Sequence, residues 1–214
     1  GSLDEFIVGR RNYEVLGLPL NLNWSNADSF LDASKGLRAA LLLVPYYGRY
    51  LDDFKVLKYR LEASFYQPLR EDKSLVAAVR AAVGSISGTG PEELPSSLRF
   101  FSGGGQSVRG YEYQSIGPKN QRGRPAGGAT MNEVSGELRW RFSESMGVVA
   151  FVDGGMVYQR ADVSQIGQDL LWGGGLGFRY YSPIGPFRLD LATPLTSRDG
   201  DSPFQVYLSL GQSF

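Results

Sequence analysis

The sequence predicts an all-β fold, and specifically a transmembrane antiparallel β-barrel. Apolar and polar residues alternate along most of the chain, as they do in strands whose two faces meet different surroundings. The alternating segments run for about ten to fourteen residues, closer to a tilted membrane span than to the five or six usual in globular sheets. Their connections are alternately short and long, as in outer-membrane barrels. Alternation alone leaves a β-sandwich with a wet outer face as the alternative.

About nine strands are expected, and the first four rest on leucine- and alanine-rich alternation. Leu16 to Trp24 alternates with small and polar residues, Leu57 to Phe65 alternates with charged ones, and Leu75 to Val83 carries Arg80 on its polar side. In the fifth strand, Leu138 and Trp140 point away from Glu133 and Glu137. The predicted strands lie at about 12–24, 36–46, 54–68, 74–86, 131–142, 147–158, 170–181, 186–194 and 204–214.

Aromatic residues lie toward the ends of the apolar faces, as the interfacial girdles of membrane barrels do. The candidates for such a girdle are Trp24, Tyr59, Phe65, Trp140, Phe142, Tyr180 and Phe214. The last strand repeats the alternation, with Leu208, Leu210 and Phe214 on its apolar side.

Composition excludes several kinds of chemistry. The 214 residues hold 22 basic and 22 acidic side chains, so no net charge argues for nucleic acid as a partner. Cysteine and histidine are both absent, which excludes disulfides, thiolate metal sites and Ser-His-Asp catalysis. We expect no catalytic residue, no metal and no cofactor, and therefore not an enzyme.

One connection is far longer than the others, at residues 87–130. A loop of about forty residues inside a compact β domain is improbable unless it has a role. It carries Phe100, Phe101, Val108 and Tyr111, so we expect it to pack onto its own protein. Arg109, within Ser-Val-Arg-Gly-Tyr at 107–111, then needs a carboxylate partner in a confined place.

That loop motif strongly resembles the loop-six signature of the BamA/TamA outer-membrane assembly superfamily. Three further segments resemble the family in the same order: Phe-Val-Asp-Gly-Gly at 151–155, the turn and strand at 181–190, and the ending Leu-Gly-Gln-Ser-Phe at 210–214. The lead-in at 98–105 is closest to TamA-like members. Since family barrels have sixteen strands, the resemblance implies that residues 1–214 form the C-terminal portion of a larger barrel. Residues 1–11 are then a cloning scar or the remnant of an earlier strand.

The resemblance implies that the long loop folds into the barrel lumen, with Val108, Arg109, Gly110 and Tyr111 as its motif. Arg109 should meet Asp153 on the inner wall, with Glu133 or Glu137 as further acceptors. The residues agree independently, because lipid does not tolerate the unpaired carboxylate of Asp153 and its face should therefore line the lumen.

Glycines in two strands support the same arrangement. Gly154 and Gly155 leave room for another backbone to approach, and the glycines at 173–177 offer the loop a smooth inner surface. Three simpler interpretations stay open: Arg109 in an exposed flexible tip, Asp153 facing a wet lumen without a partner, and Phe214 as an ordinary strand end.

The resemblance implies a bacterial outer-membrane protein that inserts or translocates other proteins by templating their strands at a lateral seam. The expected partners are outer-membrane lipid, nascent outer-membrane or secreted clients, and the assembly machinery that would read Leu208, Leu210 and Phe214 as an insertion signal. Unpaired edge strands could also mediate self-association. The alternatives are a pore of the two-partner secretion type and the membrane anchor of a fused patatin-like enzyme.

Overall fold

The computed structural model describes residues 14–49, 53–88 and 94–214, and it confirms an antiparallel all-β sheet. The strands span Glu14–Gly17 (β1), Leu20–Ser25 (β2), Gly36–Arg49 (β3), Asp53–Pro68 (β4), Leu75–Ser87 (β5), Thr130–Arg141 (β6), Met146–Tyr158 (β7), Leu171–Ser182 (β8), Gly185–Pro194 (β9) and Gln205–Leu210 (β10). Residues 1–11, expected to be a scar or a strand remnant, lie outside the described residues. No helix in the described part is long and apolar enough to cross a bilayer, a finding that does not bear on strands.

The strands follow one another around the sheet in sequence order, each antiparallel to the next. The count is ten because the strand expected at 12–24 is divided into β1 and β2, which both pair with β3. The break falls at Leu18–Pro19, between the two strands. Proline has no N–H to donate to the sheet and its φ is fixed, so a continuous strand is interrupted there.

The two faces of the sheet invert the usual arrangement of a soluble protein. On β6, Glu133, Glu137 and Arg139 face inward and are buried, whereas Leu138 and Trp140 face outward with 45% and 46% of their surface exposed. The same alternation on β7 buries Val149 and Asp153 inside and exposes Val148 and Val152 outside. An apolar outer belt around a charged interior is the pattern of a membrane barrel.

Most of the predicted aromatic girdle lies at one end of the sheet, which we call the turn end because the short connections lie there. Its exposed members are Trp24, Phe65, Trp140, Phe142 and Tyr180. Phe214 does not belong to it. β10 ends at Leu210, four residues earlier than expected, because Gly211 adopts a φ of 87° and turns the chain inward.

Beyond Gly211 the tail packs against the inner face at the turn end. The Phe214 ring lies 6.3 Å from that of Tyr66, and Arg139 Nη2 donates to the Phe214 carbonyl oxygen at 3.2 Å. Gln212 donates its backbone N–H to the Leu31 carbonyl at 3.1 Å, so the tail also meets the β2–β3 turn.

The sheet does not close on itself within the described residues, since β10 pairs with β9 and with no other strand. Counting antiparallel steps from β2 to β10 shows that these two strands run in the same direction. Direct closure would therefore require a parallel pair, which the hairpin pattern of a membrane barrel does not supply. β10 therefore has a free edge among the described strands.

The long connection between β5 and β6 lies against the inner face of the sheet. Isolated bridges join Phe100 to Gly128 and Ser102 to Ile116, so the loop has a structure of its own. Phe100 packs in an inner cluster with β4, β5 and β7 residues. The loop is thereby fixed to the sheet, which places its motif near the centre of the inner face.

The outward position of the tryptophans can be checked by fluorescence. All three tryptophans of the sequence, Trp24, Trp140 and Trp172, are exposed outward by 56%, 46% and 37%. In vesicles of lipids brominated on their acyl chains, we expect strong quenching of their emission and little effect of aqueous iodide. The urea-unfolded chain is the control and should show the reverse. Strong iodide quenching of the folded chain would contradict the orientation.

Candidate functional site around Arg109

The loop motif is pressed onto the inner face of β7, β8 and β9. Val108 is fully buried and fits against Gly155, where a Cβ atom would lie 2.7 Å from Val108 Cγ2. Gly110 packs against Thr193, where a Cβ atom would lie 2.7 Å from the Thr193 carbonyl oxygen. The loop backbone and the barrel wall are therefore in direct contact.

The Arg109 guanidinium meets three carboxylates. Its Nε lies 2.7 Å from Asp153 Oδ2 and its Nη2 lies 2.9 Å from Asp153 Oδ1, a two-point contact. Nη1 lies 3.0 Å from Asp190 Oδ2 and 2.7 Å from Glu137 Oε1. The Arg109 backbone N–H also donates to Asp153 at 3.1 Å. Only the planar fork of arginine can bond to several acceptors in this way.

Because these charged groups are buried, each of them needs its partners. Arg109 exposes 1% of its side chain, and the three carboxylate side chains expose none. The guanidinium carbon lies 3.5 Å from the centroid of the Phe151 ring, which covers one face of the charge. Removing a single partner from such a group leaves an uncompensated buried charge.

Three more arginines surround these acids, and we call the whole set the Arg109 cluster. Arg139 Nε lies 2.8 Å from Glu137, Arg179 Nη1 lies 2.5 Å from Asp190, and Arg188 Nε lies 3.4 Å from Asp190. The cluster thus joins the loop to inward side chains of β6, β7, β8 and β9. Its members are Arg109, Glu137, Arg139, Asp153, Arg179, Arg188 and Asp190.

Glu133, expected as a further acceptor for Arg109, has different partners. It accepts hydrogen bonds from the hydroxyls of Ser102 and Ser107, and Arg80 Nη2 lies 3.1 Å from its carboxylate. Arg80 Nε also lies 3.0 Å from Glu62. This Glu133 network fastens a second part of the loop to β4, β5 and β6.

The end of the motif is held by backbone carbonyls and by the edge strand. Tyr111 donates its hydroxyl toward the carbonyls of Trp172 and Thr196, at 2.9 and 2.7 Å. The Tyr207 hydroxyl on β10 accepts from the Gly110 N–H at 3.1 Å and donates to the Tyr111 carbonyl at 2.8 Å. Tyr207 thereby ties the free edge strand to the loop.

Glycines at alternate positions leave part of the inner face of β8 without side chains, so the loop backbone and the ion pairs can approach it closely. A Cβ atom at Gly173 would lie 1.9 Å from the Arg109 carbonyl oxygen, and one at Gly177 would lie 2.1 Å from Asp190 Oδ1. The expected resting surface for the loop therefore begins at Gly173. Gly154 instead lies against the Trp172 ring.

Several members of the site were not singled out from the sequence. Asp190 lies in the segment 181–190 that resembles the family, and its alternation with outward Leu189 and Leu191 was the available signal. Phe151 likewise belongs to the wall motif. Tyr207 carried no signal, because nothing local to β10 indicates that the loop passes beside it. Within the described residues, no group of acidic side chains is arranged to hold a metal ion.

Both the sequence and the fold match known proteins. The sequence profile of the Omp85 superfamily domain matches residues 8–214. The chain belongs to the Omp85 superfamily. It is accordingly a protein of the bacterial outer membrane, and its BamA/TamA-type resemblance is confirmed.

Three individual proteins are similar to this chain to different degrees. The outer membrane protein assembly factor BamA of Nitratidesulfovibrio vulgaris is 32% identical over 168 residues, which are 76% of this chain and 21% of that protein. BamA from Haemophilus ducreyi lacking POTRA domains 1–3 has a TM-score of 0.69 at 22% identity, over 89% of this chain and 41% of that one. CdiB from Acinetobacter baumannii has a TM-score of 0.40 at 17% identity, over 92% of this chain and 42% of that one. The chain thus spans about a fifth of the curated relative, whose name describes an assembly factor and not an enzyme.

The close approach at Gly173 can be tested by adding a side chain. We expect Gly173→Val to push the loop backbone off β8 and to destabilise the fold by about 1–3 kcal/mol, the usual cost of overpacking. Gly136→Val is the matched control, because a Cβ atom there lies 3.8 Å from its nearest neighbour. The readout is the temperature at which the folded band disappears from a heat-modifiable gel. Equal temperatures for the two variants would contradict the contact.

The ion pair between Arg198 and Asp201, which lies against Tyr111 of the loop motif, predicts that the stability of the fold depends on pH. Arg198 Nη2 lies 2.8 Å from Asp201 Oδ1, and the guanidinium lies 5.2 Å from the centroid of the Tyr111 ring. The hydrogen bond from Arg198 lowers the pKa of Asp201 below its ordinary value of 3.8. Because the folded pKa is depressed, the stabilisation is complete above the ordinary value and is lost as pH falls through the lowered one.

A carboxyl NMR titration measures this shift. Arg198→Met should return the pKa of Asp201 toward 3.8. Asp162 is the internal control, because Ser164 lowers its pKa by hydrogen bonds that do not involve Arg198. If the pKa of Asp201 stays low in the variant, the Arg198 side chain is not the cause of the lowered pKa.

Proposed function

We propose that this chain is the C-terminal barrel segment of a machine that inserts or translocates outer-membrane proteins by strand templating. The observation that carries the proposal is the free edge of β10, which pairs with β9 and with no other described strand. An exposed edge offers a row of unpaired N–H and C=O groups to an extended segment of another protein. Family membership supports this use of the edge.

The side chains of β10 suit such pairing inside a membrane. Val206, Leu208 and Leu210 face outward with 57%, 78% and 48% of their surface exposed. An incoming strand that alternates in the same way would continue the apolar belt into lipid. Main-chain hydrogen bonds would supply most of the affinity, so one edge could serve clients of different sequence.

In this proposal Arg109 holds the scaffold beside the edge. It fixes the loop across β6 to β9, and the loop in turn holds β10 through Tyr207. The buried charge serves specificity of position more than net stability, since buried ion pairs roughly offset their desolvation cost.

The proposed partners are client proteins, the surrounding lipid and the machinery that assembles this barrel itself. Leu208 and Leu210 face outward, while Phe214 packs inward on Tyr66. If Leu208, Leu210 and Phe214 form an insertion signal, it would be read before β10 folds, when Phe214 is accessible. Self-association through free edges would appear as dimers in light scattering of the detergent-solubilised chain.

The role of the loop arginine can be tested with charge variants. We expect Arg109→Ala and Asp153→Ala each to cost about 3–5 kcal/mol, because each leaves a buried charge unpaired. The exchange Arg109→Asp with Asp153→Arg should recover part of that loss. Arg49→Ala is the control, since the Arg49–Asp53 pair is exposed and such pairs contribute little. Heat-modifiable gel mobility reports the folded fraction, and single variants that behave like the parent would refute the lumen pair.

The activity itself is tested in vesicles. An unfolded eight-stranded outer-membrane protein should insert faster into vesicles that contain this chain than into empty ones, and Arg109→Ala should reduce the acceleration. Equal rates with and without the parent chain would refute strand templating by this segment. The Arg49→Ala variant should retain the parent rate.

A further inference from the structure

A groove of about 510 Å³ runs along β10 beside the long loop. One wall is formed by loop residues that include Gly103, Gly104 and Gly105, and the other by consecutive residues of β10 that include Tyr207 and Leu208. Tyr207 faces inward and Leu208 faces outward, so a groove lined by both follows the main-chain edge of the strand. That edge is the one that β9 leaves free. We call this space the β10 groove.

The loop wall of the groove has bare backbone at its three glycines and side chains at the flanking residues Phe101, Gln106, Ser107, Tyr113 and Gln114. Gly103 and Gly104 adopt φ values of +105° and +106°, which L residues rarely adopt. A Cβ atom at Gly105 would lie 2.8 Å from the Tyr207 ring. Backbone geometry and the close approach of Tyr207 therefore keep this part of the wall free of side chains.

Arg188 lines the groove and is 2% exposed. Its Nη2 donates to the Gly105 carbonyl at 2.9 Å, but its Nε donates no hydrogen bond. The nearest acid, Asp190, lies 3.4 Å away from that Nε and already contacts Arg109 and Arg179 at 3.0 and 2.5 Å. A buried guanidinium with an unused donor needs a further acceptor.

The charges of the Arg109 cluster are also unequal. Arg109, Arg139, Arg179 and Arg188 carry four positive charges, while Glu137, Asp153 and Asp190 carry three negative ones. Arg188 has the longest of these ion contacts. One added carboxylate at Arg188 would balance the cluster and occupy the unused donor.

We propose that the β10 groove binds an extended client strand that carries a carboxylate on its inward face, and that Arg188 receives this carboxylate. The inference rests on the proposed function and names the class of strand that the edge selects. The strand pairs antiparallel with β10, its outward residues meet lipid, and its acidic residue lies under β10 beside Tyr207. A client strand with an inward acid is bound more tightly than one without.

A second copy of this chain fits the groove less well. Its free β10 would present Gln205, Tyr207 and Ser209 inward, and its β2 would present Asn21 and Asn23. Neither edge brings a carboxylate, and β2 of a copy in the same membrane orientation would run parallel to β10. The charge of the groove therefore favours a client strand.

The test uses two labelled peptides with the sequence of β9, the natural antiparallel neighbour of β10, in which the arginine is replaced by serine. The acidic peptide keeps the aspartate that lies opposite Tyr207 in the β9–β10 register, and the amide peptide has asparagine there. Fluorescence anisotropy measures their binding to the full chain in detergent micelles. A scrambled peptide of the same composition measures partition into micelles.

We expect the acidic peptide to bind about tenfold more tightly than the amide peptide, within the range of a buried charge-assisted hydrogen bond. Arg188→Met should abolish the difference and Arg188→Lys should retain part of it. Arg49→Ala is the control, because the Arg49–Asp53 pair is exposed and lies outside the groove, and it should keep the full difference. Heat-modifiable mobility shows which variants are folded.

Every other outcome refutes a specific part of the proposal. Equal binding of the acidic and amide peptides, or a preference that persists in Arg188→Met, refutes the carboxylate site and leaves strand templating standing. Equal binding of the scrambled peptide shows micelle partition and refutes the groove as a site. Failure of both peptides to bind refutes edge pairing, and the proposed function falls with it.

Discussion

The buried charge of Arg109 is the constraint on which the rest of this structure depends. A guanidinium that is 1% exposed must be matched by acids within reach, and the fold supplies Asp153, Asp190 and Glu137 from three different strands. Those acids require further arginines, because three carboxylates around one cation would otherwise be in excess. The inner face around Arg109 is consequently a network of charges, while Leu138, Val148 and Val152 on the same strands face outward. Turning the sheet over would expose the network to lipid and is excluded by the cost of unpaired charge there.

Glycine makes this network geometrically possible. Gly173 admits the Arg109 backbone, and Gly177 admits the contact between Arg179 and Asp190. The loop is fastened at a second place by the Glu133 network, on strands to the other side of β6. Two ion networks therefore join the loop to strands from β4 to β9. The loop therefore braces these strands across the inner face of the sheet.

The loop also fixes the position of the free edge of β10. β10 has one neighbour among the described strands, and its Tyr207 hydroxyl binds the backbone of the loop motif on both sides of the Gly110–Tyr111 peptide. The edge is thus held at a defined place beside the glycines at 103–105 and the Arg188 guanidinium, whose Nε donates no hydrogen bond. An edge strand without such support would be a general aggregation hazard. Here the same unpaired backbone is placed next to groups that can distinguish one incoming strand from another.

The sequence by itself determined the class of fold, the position of eight strands to within a few residues, the long loop and the pairing candidates Arg109 and Asp153. The fold class, the strands and the inward face of Asp153 follow from period-two alternation and from a charge that lipid excludes, both of which are local properties of the chain. The pairing of Arg109 with Asp153 was implied by the resemblance of their motifs to the superfamily. The differences between the predicted and observed strands have local causes. Pro19 divides the first strand, and Gly211 turns the last one inward. The tertiary structure selected Glu137 over Glu133 as the further acceptor for Arg109, gave Glu133 to a separate network, and added Asp190. Only it brought Tyr207 to the loop and left Arg188 short of an acceptor. Those contacts join residues 26 to 97 positions apart, and the path of the loop across the sheet, which no local pattern encodes, decides them.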